Sequence, residues 1–436
     1  MNLPTLPFAA NNKVKKSVIN WAGLNKQIVI NDNQFSDMEN LSSENFSIIS
    51  PRPSREAAYT LTTGKALFAA PALCWVDGTS FKYDNTAEGT VSASGKIMAD
   101  FNNTVYILPD KKYYNYSTDT FGTWGSGTYP EAGSVPAMDY MAVMDNRLFG
   151  CKGDDIYGCA LGDATDWTTF DGVSTDAYAA DTGTNGDFTG MINYKGTILL
   201  FKADRVFKLF GDIPSNFQWV EISRLGCVDD KSICEVNGIL FWLNAQGICA
   251  YTGGVPEIIS DDLNETYTSG VAGGDGRRYY ISLYNGTDYN LYVYDTQDKI
   301  RFWLREDDLQ VTDFALLSGY LYALASDNII YKFNSGSDTV SWYATTKEFT
   351  ENVANKKGHG DLYFRVDLES SSSLKIYVRI NNGSFTLVKS YSSSDLSSFK
   401  VMLPIKRADH FQVKFMGTGE GKIYEMHRKF YVGSEY

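Results

Sequence analysis

The sequence predicts an all-β protein: a seven-bladed β-propeller with a C-terminal β-sandwich domain and an extended N-terminal arm. Three observations predict it. First, 436 residues contain 38 Gly, 29 Tyr and 25 Phe, with Ser, Thr and Asn throughout, a composition of strands and tight turns. Second, one phrase recurs: a turn residue, an apolar run, a polar gap, and a strand ending in an aromatic. It reads NYKGTILLFKADRVFKLFG at 193–211, VNGILFWLNAQGICAYTGG at 236–254 and LLSGYLYALASDNIIYKFNSG at 316–336. Third, the texture changes near residue 343 to sustained apolar/polar alternation. The chain is also too long for one ordinary core, so several folded units or one repeat array are expected.

Residues 1–56 do not fit the repeat. The run NDNQFSDMENLSSENFSIISPRPSRE is polar, with scattered Phe and Ile and a Pro-rich end. Such a segment buries little by itself, and is expected as an extended arm lying along the propeller or reaching a neighbour.

Residues 57–342 hold the repeat. Its anchors are Gly64, Asn103, Asn146, Gly196, Gly238, Gly276 and Gly319, separated by 39, 43, 50, 42, 38 and 43 positions. Strand, tight turn, strand, polar turn, strand is an antiparallel meander, and a meander recurring at this period is the signature of propeller blades. One such sheet cannot bury both faces alone, whereas sheets stacked face to face in a ring can. The Gly-His and Trp-Asp marks of WD40 repeats and the kelch double glycine are missing. The long step between Asn146 and Gly196 comes from DATDWTTFDGVSTDAYAADTGTNGD, expected as a protruding loop over 163–187. Two β-sandwiches are the alternative arrangement of the same strands.

Residues 343–436 alternate strongly in LYFRVDL, LKIYVRI, FTLVKSY, FKVMLPI, FQVKFMG and KIYEMHRKFYV, with INNGSF as a hairpin turn. Six such strands in about 90 residues fit a small sandwich. This part is locally basic. It is expected to pack on the propeller or on another subunit, with sugar binding as a sharper reading.

The whole chain carries a net charge of -13. An acidic surface argues against non-specific nucleic-acid affinity, which needs Lys and Arg to displace counterions. It suits a wall that DNA passes without being held. The six cysteines (Cys74, Cys151, Cys159, Cys227, Cys234 and Cys249) include no CxxC pair and sit mostly in apolar runs, so free buried thiols are expected. The start lacks a signal-peptide apolar region and no stretch approaches 18 apolar residues, so a soluble protein made in a cytoplasm is expected.

Catalytic patterns are weak. The histidines, His359, His410 and His427, show no metal spacing; His359 is expected in a Gly-flanked turn, the others at strand surfaces or edges. No GxSxG elbow is present. The pairs Asp154–Asp155, Asp229–Asp230, Asp261–Asp262 and Asp307–Asp308 could supply the two carboxylates of a glycosidase, but turn hydrogen bonding explains Asp at such positions. DDKS and NGTDYN suggest calcium, yet lack the distal Glu of a full loop. TGGVPE and AGGDGRR read as turns. No catalytic, cofactor-binding or metal residue is assigned, no cofactor is expected, and the protein is expected not to be an enzyme.

One long stretch, FTGMINYKGTILLFKADRVFKLFGD followed by NFQWVEISRLGCVDDKSICEVNGILFWLNAQGICAYTGGVPEIIS, is similar to bacteriophage virion β-propeller proteins, the tail nozzle, hub and stabilisation proteins of short-tailed phages. DATDWTTFDG, the 21–54 segment beginning WAGLNKQIVIND, and the ending LPIKRADHFQVKFMGTGEGKIYEMHRKFYVGSEY resemble that family too. The resemblance implies a structural virion protein of the tail, several copies of which form a ring that closes or extends the channel for DNA. Its implied partners are copies of itself and other tail or portal-adaptor proteins, with DNA passing without specific binding. Such relatives can be much longer, so a compact chain could occupy another position in the particle. A carbohydrate-recognising receptor-binding protein is the alternative, and a propeller glycosidase a third.

Overall fold

The computed structural model describes residues 13–354, 356–403 and 407–431. The protein is all-β: its described elements are strands and three single-turn 3-10 helices, Pro214–Asn216, Asp230–Ser232 and Asp261–Leu263.

Seven sheets follow one another along the chain, each of four antiparallel strands. The first six cover residues 64–90, 97–123, 140–181, 188–223, 234–258 and 269–307, each in simple sequential order. The seventh takes three strands from 311–336 and its fourth from Ser54–Thr60, far upstream. The turns between first and second strands explain why the repeat is readable. Asn102–Asn103, Asp145–Asn146, Lys195–Gly196, Asn237–Gly238 and Ser318–Gly319 all have positive φ at both residues, the conformation that matches hairpin twist and favours Asn and Gly. Gly276 lies in the equivalent turn of the sixth sheet. Gly64 does not: it begins the strand Gly64–Ala69, and the equivalent turn, 70–72, carries Pro71 and no Asn or Gly. The sequence anchor there is one strand out of phase.

Each sheet shares an apolar core with the next. Val76 and Phe81 meet Val105 and Ile107; Tyr106 and Trp124 meet Leu148 and Trp167; Phe149 and Ile156 meet Leu200 and Phe207; Phe201 meets Trp242. The largest core joins sheets five, six and seven, and Leu324 and Ile330 of the seventh pack on Leu67 and Trp75 of the first. The succession therefore returns to its start.

Two five-stranded sheets complete the chain. One contains Lys13–Val18, Gly421–Tyr431, Lys357–Leu368, Ser397–Val401 and the short Arg407–Ala408; the other runs Phe35–Glu39, Ser341–Thr346, Phe411–Thr418, Ser373–Ile380, Thr386–Tyr391. Their inner faces interdigitate Leu362, Phe364, Val366, Ile376, Val378, Val413 and Phe415. Residues 13–56, expected as an extended arm, are woven through the molecule. They supply an edge strand to each of these sheets and then the start of the closing strand of the seventh, Ser54–Thr60; residues 1–12 lie outside the described residues.

Why this segment is held follows from its anchors. Trp21 stacks on Phe35 with centroids 5.3 Å apart and meets Phe415 edge-on. The Leu24 amide donates to the Trp303 carbonyl at 2.7 Å. A Cβ on Gly23 would stand 2.1 Å from that carbonyl, so only glycine permits the approach. Ion pairs then fasten it: Arg55 to Glu306 and Asp307 at 2.6 and 2.7 Å, and Asp32 to Arg428, which also meets Glu351 at 2.6 Å.

All six cysteines are free; five are buried and Cys234 is half-buried. His359 is not in a turn. It lies in the strand Lys357–Leu368, buried, with its ring 4.9 Å from Phe411. The Gly residues beside it are accommodated in the strand, where Gly358 receives the Tyr431 ring.

Candidate functional site

A cluster of partly buried charge beside a cavity begins at the 3-10 turn before the fifth sheet. Asp229 caps this turn: its carboxylate accepts from the Lys231 amide at 3.3 Å and from the Gly270 amide at 3.1 Å. Ser232, fully buried, donates to the Asp229 carbonyl at 2.6 Å and accepts from the Leu243 amide at 2.9 Å. With Asp229 and Ser232 locked, Asp230 and Lys231 project away from their own sheet.

Lys231 reaches past the sixth sheet. Its Nζ lies 2.7 Å from Asp313 Oδ1 and donates to the Thr312 carbonyl at 2.9 Å, both on the first strand of the seventh sheet, Val311–Leu317. On its other side a cavity of about 300 Å³ is lined by Lys96, Ile97, Leu108, Pro109, Met138, Asp139, Tyr140, Asp230 and Lys231. Residues from the second, third, fifth and seventh sheets thus converge where first strands meet.

Electrostatics follow from this crowding. Burial pushes the Asp313 carboxyl up to about 6, against the pull of Lys231. Burial, then the neighbouring charge of Asp229, raises Asp230, and burial raises Asp229. Lys96 is committed elsewhere: fully buried, it meets Asp110 at 2.7 Å and donates to Ser92 and Ser94. Lys231 thereby ties the turn before the fifth sheet to the first strand of the seventh. None of the three histidines lines it, so a nucleophile would lack an imidazole base.

The other acidic pairs separate in role. Asp307 is part of the Arg55 anchor; although burial opposes it, Arg55 holds its carboxyl below the usual range. Asp262 accepts from Asn25 at 2.9 Å, and Asp155 from Tyr157 at 3.1 Å. The Asp229–Asp230 pair splits: Asp229 does the turn bonding expected of both, and Asp230 faces the cavity. Lys231 and Asp313 carried no local signal, because their pairing is set by the stacking of distant sheets. Among the described residues, no group of three or more His, Cys, Asp or Glu could hold a metal ion.

Ser17, His427 and Glu425 form a chain on the first C-terminal sheet, with hydrogen bonds of 2.6 Å on each side of the imidazole. Ser17 and His427 are register partners on adjacent strands. All three side chains lie on two adjacent paired strands, Lys13–Val18 and Gly421–Tyr431.

No protein family and no curated protein matches the sequence. Solved structures give distant likenesses. An extracellular domain assigned to a one-component system of B. thetaiotaomicron is 15% identical over 78% of this chain and 45% of its own, with a TM-score of 0.41. Kluyveromyces lactis Hsv2 is 11% identical over 68% of this chain and 99% of its own, with a TM-score of 0.36. An exo-β-1,3-galactanase from Phanerochaete chrysosporium is 10% identical over 78% and 96%, with a TM-score of 0.26. The matched part spans less than half of the first of these. Similarity this distant assigns neither a family nor an activity.

Proposed function

We propose that the seven sheets are the blades of one seven-bladed propeller and that the protein is a structural, non-enzymatic component of a bacteriophage tail, assembled in several copies as a ring. The sequence similarity to virion propeller proteins motivates this reading. The single structural observation that carries it is the weave of residues 13–60 through both C-terminal sheets and into the seventh sheet. That weave makes one stiff body of parts that would otherwise be joined by a linker, as a subunit in a closed assembly requires. In this reading the path for DNA runs between copies and not through one chain.

Electron micrographs of the purified protein, with its mass from light scattering, test the reading: closed rings support it, and a monomer at every concentration contradicts it. A second reading, glycan recognition or cleavage at the cavity holding Asp230, is favoured by the raised carboxyls there. Binding to a glycan array, or release of reducing sugar lost in Asp230→Asn, would select it.

A further inference from the structure

Two exposed sheet edges carry like charges face to face, with opposite sign. In the first C-terminal sheet, Lys15 on the edge strand Lys13–Val18 is the register partner of Lys429. In the third propeller sheet, Asp155 is the register partner of Asp181 on the edge strand Tyr178–Asp181. Like charges directly opposite each other on an antiparallel pair are destabilising. Among the described residues none of the four takes part in an ion pair; Asp155 has Lys152 as its register partner on its other side, but the Lys152 ammonium lies against Asp139 at 3.1 Å. Lys429 rests against the Tyr363 ring, 4.8 Å from its centroid; Asp155 and Asp181 only accept local hydrogen bonds, from Tyr157 and the Gly183 amide.

The surroundings extend both signs. Residues 153–188 contain eight Asp and no Lys, Arg or Glu, whereas residues 343–436 hold 14 Lys and Arg against 10 Asp and Glu in a chain of net charge -13. Each edge also has exposed apolar side chains nearby in sequence: Val14 and Ile19 at the basic one, Leu161, Phe170 and Val173 in the loop of the acidic sheet. The two edges are apart on the molecule, since the C-terminal sheets share their core with sheets five to seven and the acidic edge belongs to the third. A chain with complementary patches at separate places makes head-to-tail contacts with its own copies, and such contacts close into rings when the rotation allows.

We propose that the Lys15–Lys429 edge of one copy seats on the Asp155–Asp181 edge of the next, as the contact that builds the assembly. This rests on the reading that copies of the chain assemble. Complementary potentials fix partner and register, while like-charge juxtaposition is strongly disfavoured; the contact relieves both repulsions at once.

The test is charge reversal on the full chain, followed by sedimentation at 150 and 500 mM salt, with melting curves as a folding control. Lys15→Glu with Lys429→Glu, and separately Asp155→Lys with Asp181→Lys, should each raise the dissociation constant at least about tenfold while the chain still melts cooperatively as a folded protein. The chain carrying all four changes should assemble again, since its edges are complementary in the reverse sense. Wild-type assemblies should weaken at the higher salt. Assembly of both double variants at wild-type strength, or failure of the fourfold variant to recover while folded, overturns this contact and leaves the ring reading standing. A wild type that never assembles overturns both.

Discussion

The guanidinium of Arg55 lies 2.7 Å from the carboxylate of Asp307, so the strand that completes the seventh sheet is fastened to the last strand of the sixth. Glu306 receives the same guanidinium at 2.6 Å. Removing one partner of a buried ion pair leaves an uncompensated charge. Arg55→Met should therefore cost about 3–5 kcal/mol in denaturant unfolding. Hydrogen exchange should localise the loss to Ser54–Thr60 and its partner strand Ile329–Gly336. Unchanged protection there would show that apolar packing alone holds the closing strand.

The Lys231–Asp313 strut predicts a pH dependence. With its carboxyl raised from 3.8 to about 6, native Asp313 keeps a proton over a window in which the unfolded chain has released it. Stability from this group is thus present below the unfolded value and is lost as pH rises through about 6. A shift of this size corresponds to about 1–3 kcal/mol. Asp313→Asn should flatten the stability profile between pH 4 and 6, measured by urea unfolding. Lys231→Met should steepen it and move it upward, because the charged carboxylate loses its counterion.

Legibility in the sequence divided along local and distant lines. Asn102–Asn103, Asp145–Asn146 and Asn237–Gly238 announce themselves, because left-handed turn residues restrict the side chains allowed. The first meander was misplaced by one strand because its turn at 70–72 uses Pro71. The C-terminal strands showed in their alternation, since one face of each is buried. Lys13–Val18 and Phe35–Glu39 were hidden, as edge strands with few apolar residues acquire their role from partners over 300 residues away. Asp230 and Lys231 looked like any acidic turn; what distinguishes them is Asp313, which only the stacking of sheets brings near.

Gly23 tests the N-terminal weave by a single methyl. The backbone carbonyl of Trp303 would stand 2.1 Å from a Cβ there, and backbone cannot yield as a flexible side chain can. Gly23→Ala should lower stability by about 1–3 kcal/mol, as overpacking does, and loosen the Leu24–Trp303 hydrogen bond in hydrogen exchange. A neutral result would mean the segment lies less tightly on the sixth sheet.

The thiols offer a chemical check on the cores between sheets. Burial pushes Cys74, Cys159, Cys227, Cys234 and Cys249 up to about 12, and raises Cys151 as well. Thiolate is the reactive form, so a disulfide-exchange reagent at pH 8 should label the native protein slowly and all six thiols promptly in denaturant. Rapid labelling of any thiol other than the half-buried Cys234 would contradict the packed sheet interfaces.

The proposed role, a ring-forming virion protein, is tested most directly by a reconstruction of phage particles that encode this chain. The account predicts several copies arranged symmetrically about the tail axis, with DNA path between copies and the third-sheet edge of each against the C-terminal sheets of the next. Particles without this chain, or a single copy away from the tail axis, would contradict it.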